Sequence, residues 1–332
     1  MATYIIKRLL QVVPTLLGIT LITFLIIQLA PGNPATLKLQ MAGQGEMGES
    51  AIAKQIIDQT KKLYGLDKPL IVQYLLWVKR VFTLDFGNSF KDHRPVLEKI
   101  GERLPITIQL NVISIFLVYL IAIPFGVFSA THADTLTDRA LTLFFFFLYS
   151  LPSFWVAVLL IMFFGGGDFL DVFPVYGISS IGADSWSFFH WLTDRLWHLV
   201  LPVTCLTYGG LAYLSRLTRA EMLEVIREDY IRTARAKGLS ERIVIFKHAL
   251  RNALLPIITL LAFLLPAMFG GSVIIESIFS IPGMGQLGFE SVLSRDYPVI
   301  MAITTISALL TLVGLLVSDI LYATLDPRIK LE

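Results

Sequence analysis

Of the 332 residues, 55% are hydrophobic and only 16% charged, against about 25% charged in an ordinary soluble domain, which puts a membrane protein first. A net charge of +2 excludes the strong basic excess of a nucleic-acid binder. The single cysteine, Cys205, excludes an internal disulfide; lying in an apolar run, it reads as a small packing hydrophobe.

A bilayer core about 30 Å thick needs about 20 apolar residues in a helix. Six stretches meet this without an internal Lys or Arg: 9–30, 105–130, 140–164, 196–215, 253–279 and 298–325. The expected fold class is therefore an all-α integral membrane protein with six transmembrane helices. The first stretch follows Lys7 and Arg8 but is longer than the apolar run of a secretory signal. It also ends without a small-x-small cleavage pattern, so it reads as a retained helix. Residues 31–104 form an external segment, in which Asp67 before Pro69 can start an amphipathic helix carrying Val72, Leu75 and Leu76.

Orientation follows from the loops. The segment 216–252 carries nine basic residues, Arg216, Arg219, Arg227, Arg232, Arg235, Lys237, Arg242, Lys247 and Arg251. The loops 165–195 and 280–297 carry only Arg195 and Arg295. The basic loop is thus expected inside, which places both termini inside with it.

Several spans contain helix breakers: Pro124 with Gly126, Pro152, Pro202 with Gly209 and Gly210, and Pro256 with Pro266, Gly270 and Gly271. Each proline removes a backbone bond that something else must satisfy in lipid. Tight packing through small residues and kinks that shape a translocation path are both open readings. Ionisable residues within spans are few, Glu276 near the outer end of the fifth and Asp319 in the inner half of the sixth. Neither has an obvious in-span partner, and a proton relay would want more of them. Gly270, Gly271 and Glu276 are the candidate gate or pathway residues.

A catalytic constellation is missing. His93, His132, His190, His198 and His248 are scattered without metal-ligand spacing. There is no nucleophile elbow and no phosphate-cradling Gly-x-x-x-x-Gly-Lys-Ser/Thr loop, so the chain itself is not expected to hydrolyse ATP. A Gly-x-Gly-x-x-Gly match at Gly283, Gly285 and Gly288 lies outside the spans without the strand and helix of a dinucleotide site.

In the basic loop, Glu228 to Gly238 has acids early and bases late, the order that suits a helix dipole, with Gly238 at a C-terminal capping place. Thr233-Ala234 with Gly238, followed by His248-Ala-Leu-Arg-Asn-Ala-Leu-Leu-Pro256, resembles the cytoplasmic coupling loop of ABC importer permeases. Arg8 to Gly18, Ala30-Pro-Gly-Asn-Pro34, Tyr64-Gly-Leu-Asp-Lys-Pro69, Asp85-Phe-Gly87 with Ser89, Arg103-Leu-Pro105, Ile281-Pro-Gly-Met-Gly285 and Leu325-Asp-Pro327 resemble the dipeptide, oligopeptide and nickel group of that family. Arg232 stands where other importers carry the Glu for which the loop is named, and Asn33 replaces a commoner Asp.

The resemblance implies a type I importer permease fold, one N-terminal helix plus a five-helix core over 105–325, and a cytoplasmic tail at 326–332. It implies half of a pathway for di- or oligopeptides in a bacterial cytoplasmic membrane. The partners would be a second homologous permease, two cytoplasmic ATPases that use ATP and Mg, and an external solute-binding protein; this chain would bind no cofactor or metal. Thr233, Ala234, Arg235, Ala236, Lys237 and Gly238 would couple to the ATPase. Nickel chelates or oligosaccharides are alternative cargoes, and an ion-coupled secondary carrier is the rival from another class. The insert around 40–50 and the long 165–195 loop have no assigned role.

Overall fold

The computed structural model describes residues 2–29, 68–166, 169–260 and 264–325. The 31–34 corner, the Tyr64 to Asp67 motif, the 40–50 insert and the 326–332 tail lie outside the described residues. Helices dominate: α1 Ala2–Leu29, α2 Leu70–Phe82, α3 Val96–Thr131, α4 Leu136–Ser150, α5 Ser153–Phe164 and α6 Phe188–Ile226. They continue as α7 Asp229–Ala236, α8 Glu241–Thr259, α9 Leu264–Gly270, α10 Val273–Ile278, α11 Met284–Leu293 and α12 Tyr297–Leu325. The described residues contain no named strand.

Within this set, α3 and Tyr297–Ile320 of α12 are each long and apolar enough to cross a membrane alone. Two bent pairs, α4 with α5 and α8 with Leu264–Ile278, raise the number to four by length and composition. The stretch expected as one span over 140–164 is two helices meeting at 96°. Leu151 ends α4 in extended backbone and Pro152 caps α5. Proline lacks an N–H and forces its predecessor out of the helical region, so the ladder breaks there. The exposed carbonyl of Leu151 is satisfied by the Tyr208 hydroxyl of α6, which donates to it at 2.7 Å.

The chain forms two compact units. One takes in Ile5–Glu102 and Leu287–Leu309. There Phe24 of α1 and Met301 of α12 are buried against Tyr74 and Trp77 of α2. Tyr74 donates to Leu17 O at 3.1 Å, and Gln28 donates to Gln73 at 2.9 Å. The face of α2 that packs is thus Gln73, Tyr74 and Trp77, whereas Val72, Leu75 and Leu76, expected to define it, are exposed. Hydrogen-bonding partners on α1 select the amphipathic aromatics over the aliphatics.

The same unit holds a buried polar clip. Asp296 accepts from the Ser89 hydroxyl and from Phe90 N at 2.8 Å. Lys99 donates to Ser89 Oγ at 3.1 Å and to Asp92 at 2.8 Å. Burial pushes the Asp92 carboxyl up, but Lys99, Ser89 and the Arg94 N–H outweigh it and hold it at about 2. Because the folded value is depressed, the contribution of Asp92 is complete above about pH 4 and is lost as pH falls through 2.

The other unit takes in Arg103–Gln286 and Leu310–Glu332 with Met1–Tyr4. Its largest core gathers Leu110 of α3, Ala157 of α5, Leu199 to Cys205 of α6, and Ile275, Phe279 and Ile281. Gly126 of α3 lies so close to α6 that a β-carbon there would stand 2.5 Å from Thr218 Cβ and 2.8 Å from Ser215 O. Small residues that let helices touch are the usual device of a bilayer interior. The turn between α3 and α4 is pinned by Asp138, which is 2% exposed. It accepts from Arg219 Nε at 2.9 Å and Nη2 at 2.7 Å, from Asp134 N at 3.1 Å, and from the Ser129 hydroxyl.

Replacing Asp138 with Ala removes the acceptor for four donors and leaves a guanidinium without its counter-charge. Asp138→Ala is expected to cost about 3 kcal/mol, read as a lower unfolding temperature of the purified protein. Arg219→Ala should cost less, because Arg219 is partly solvated, and the double variant should recover part of the loss. Strict additivity in that cycle would refute the coupling.

Candidate functional site

Two places combine unusual backbone with buried side chains, and both lie in the unit built on Arg103–Gln286. The first follows the broken fifth stretch. The helix stops at Gly270, Gly271 takes φ +64°, and Ser272 restarts it as α10, its side chain accepting from Ile275 N at 3.5 Å. Inside the new helix stands Glu276, 1% exposed.

The Glu276 carboxylate is surrounded by donors. Oε1 accepts from the Thr107 hydroxyl of α3 at 3.1 Å and from Ser272 N at 3.3 Å. Oε2 accepts from Gln286 N at 2.8 Å, and the Gly285 N–H also bonds to the carboxylate. Thr107 Oγ1 itself accepts from Met284 N at 2.7 Å, which commits the Thr107 proton to Glu276. Further back, Ile281 N donates to the Glu276 carbonyl at 2.7 Å. One carboxylate thus gathers the turn 281–286, the restart of the helix and α3.

The glycines make this approach possible. A β-carbon on Gly283 would overlap the Glu276 carboxylate, one on Gly285 would lie 2.7 Å from Val273 N, and one on Gly271 would lie 2.7 Å from Gly285 N besides meeting Glu276 Oε1. Gly283 and Gly285 of the Gly-x-Gly-x-x-Gly match therefore serve a carboxylate of the chain itself, whereas a β-carbon on Gly288 would meet only Ile303, at 3.8 Å. Gly270, expected beside Gly271 at a close helix contact, has nothing within 4 Å of an added β-carbon. The structure brings Gly271 and Glu276 together and leaves Gly270 out. Sequence reasoning found no in-span partner for Glu276 because its partners are backbone N–H groups and a threonine, which carry no charge pattern.

The second place is α7. Its eight residues begin at Asp229 and end with Arg235 in the last turn. Gly238 follows at φ +76°, the left-handed geometry that ends a helix and favours glycine. Gly238 N donates to Arg235 O at 2.9 Å. Ile231 and Ala234, three apart and so on one face, are 0% and 6% exposed. They pack into a cluster with Val127 and Ala130 of α3, Met222 of α6, and Val244, Ala249 and Ala253 of α8. Thr233, Arg235, Ala236, Lys237 and Gly238 are exposed. Of the six residues singled out in the sequence, Ala234 therefore faces the chain's own core. The pairing of Ile231 with Ala234 was the available signal, since the only large apolar side chain inside the helix besides Tyr230 marks its buried face.

Arg235 is held by Glu241 at 2.8 and 3.3 Å. This fastens the end of α7 to the start of α8, where Val244–Ala249 is wound as a π-helix. Such wide turns are rare and concentrate at functional positions.

Comparison with known families gives two matches that lie end to end. Residues 122–331 match "Binding-protein-dependent transport system inner membrane component", and residues 1–111 match its N-terminal companion. The chain is 44% identical over 99% of its length, and all of the relative's, to the oligopeptide transport system permease protein AppB of Bacillus subtilis. It is 39% identical, over its full length and 99% of the relative's, to the dipeptide transport system permease protein DppB of the same organism. It is 37% identical, over the full length of both, to the inner membrane ABC transporter permease protein YejB of Escherichia coli.

Glu276→Gln keeps the shape of the clamp but turns an amide NH2 towards backbone donors. Each buried group left unpaired costs about 1–3 kcal/mol, so the 281–286 turn should open. A cysteine at Met284, 1% exposed, placed in a Cys205→Ser background, should then react with a maleimide at least about tenfold faster than in the Glu276 parent. Equal rates in the two backgrounds would mean that the carboxylate does not hold the turn.

Proposed function

The chain belongs to the family of binding-protein-dependent transport inner membrane components, transport subunits and not enzymes, and we propose that it forms half of an ATP-driven import pathway for peptides. Its likeness to an oligopeptide permease at 44% and a dipeptide permease at 39% identity, over essentially the whole of each chain, supports peptides as the cargo. The single observation that carries the mechanism is α7, a short helix anchored from below, ended by a left-handed glycine, and presenting an exposed polar face.

On this reading the chain crosses the membrane six times with both termini in the cytoplasm. The additional spans are α1, whose apolar part is Leu10–Ile26, and 196–215 within α6. The nine basic residues of 216–252 face the cytoplasm, and α7 seats in a groove of an ATPase. A second, homologous permease completes the pathway, two ATPase subunits consume ATP with Mg, and an external solute-binding protein delivers the peptide. Thr233, Ala236, Lys237 and Gly238 make the outer face of the seat. Arg235 orients the helix through Glu241, and Ala234 holds it to the core. The clamp formed by Glu276 with Gly271, Gly283 and Gly285 fixes the outer turn beside the path.

Ser240→Cys in a Cys205→Ser background should be unreactive to an impermeant reagent added outside intact cells and reactive in inverted vesicles. External labelling would reverse the topology.

Proteoliposomes holding the complete complex should take up labelled peptide only with ATP inside and binding protein outside. Ala236→Glu puts an unpaired charge into the seat, a penalty of several kcal/mol and more than about a hundredfold in affinity. ATPase subunits should fail to co-purify while the chain still inserts. Normal ATPase retention and uptake in that variant would reduce α7 to a solvated connection.

A further inference from the structure

We propose that residues 172–180 of the long 165–195 loop form a strap that positions the turn 279–286, with Gly177 as its hook and Asp194 as its anchor. Its importance for transport rests on the place proposed above for the Glu276 clamp beside the path; its hold on the turn does not.

The strap is fastened to α6 at both ends. At its start the Trp197 indole N–H donates to Val172 O at 2.8 Å, and the Trp197 ring meets Phe173 at 4.5 Å between centroids. At its end Asp194 accepts from Ser180 N at 2.8 Å and from the Ser180 hydroxyl at 2.6 Å, with His198 Nδ1 3.5 Å away. Burial pushes the Asp194 carboxyl up, but the Ser180 bonds and the nearby His198 and His190 hold it below the usual carboxylate range, so the anchor is ionised at neutral pH. Between these ends the strap turns apolar side chains inward. Phe173 and Ile178 pack on the core that contains Ile275, Phe279 and Ile281. Val175 is buried over Gly165, where a β-carbon would stand 2.4 Å from its Cγ2.

From there the strap reaches α10. Gly177 turns at φ +76°, and its N–H donates to Phe279 O at 2.9 Å. The last carbonyls of a helix have no partner within it, and α10 ends at Ile278. Phe279, at 0% exposed, is shut off from water, so the strap supplies the donor that its carbonyl needs. The next residue, Ser280, sits at φ +51°, a geometry that a side-chained residue keeps only where its surroundings hold it. It is held from both sides: Gly177 bonds to Phe279 before it, and Ile281 N donates to the Glu276 carbonyl at 2.7 Å after it. A strained residue between two holds moves when either is released. The Glu276 clamp is one hold on this turn, and the strap is the other.

The full-length chain is purified with the subunits that accompany it, and maleimide rates are measured at Met284→Cys and, as a control, at Met222→Cys, each in a Cys205→Ser background. Both methionines are buried, at 1% and 0% exposed, and Met222 lies in the α7 cluster, away from the strap. Asp194→Ala leaves Ser180 without its acceptor and should raise the rate at position 284 at least about tenfold, with position 222 unchanged. Asp194→Asn, whose amide still accepts from Ser180 N and donates to the Ser180 hydroxyl, should restore the slow rate. Should Asp194→Ala insert poorly, Gly177→Pro, which deletes the N–H and cannot take a positive φ, should give the same contrast between the two positions. An unchanged rate at position 284, an equal rise at both positions, or no rescue by Asp194→Asn overturns the proposal. Peptide uptake by the complete complex in proteoliposomes should fall in Asp194→Ala and return in Asp194→Asn. A faster rate at position 284 with unchanged uptake keeps the strap and removes the turn from the path.

Discussion

In a bilayer no water waits for a backbone N–H or C=O, so a helix that breaks must carry its own replacement partners. Much of this structure is an answer to that constraint. At Leu151–Pro152 the answer is the Tyr208 hydroxyl. At Gly271 it is Glu276, whose two oxygens receive the amides of the restarting helix and of the 281–286 turn. A neutral acceptor would satisfy fewer of these donors. The charge that looks anomalous in an apolar stretch is what makes an irregular backbone tolerable at that place. The three glycines around it are the complementary requirement, since the carboxylate reaches the amides only where β-carbons are missing.

Those facts sort what a sequence reveals from what it conceals. Apolar length found the helices because the bilayer imposes it regardless of neighbours. Gly238 announced the end of α7 because left-handed backbone is a local property of one residue. What escaped depends on who stands opposite. The 140–164 stretch has the length and composition of a single span, and only the position of Pro152 distinguishes a bent helix from two helices at 96°. Leu75 and Leu76 have the apolarity of a packed face, yet Tyr74 wins it because α1 offers the Leu17 carbonyl. Arg219 counted as one charge among nine for orientation, but its work is done on Asp138, eighty-one positions away.

The candidate site was legible to a similar depth. Gly271 and Glu276 stood out singly, for backbone freedom and for cost, and the structure joins them through Gly285. The motif at 281–285 was legible as a resemblance without a reason, and the reason is the carboxylate it encloses. In α7, Ala234 was read as facing a partner, and it faces inward: it is small because it lies against Val127, Met222 and Val244.

That inward attachment has a mechanical consequence. A helix tethered only by its ends would give way when pushed, and a force on its outer surface would be spent in the flanking loops. Ile231 and Ala234 instead press on α3, α6 and α8 together. Close-packed interiors yield little, so a push on the outer face of α7 would be passed to all three of these helices at once rather than absorbed in the flanking loops.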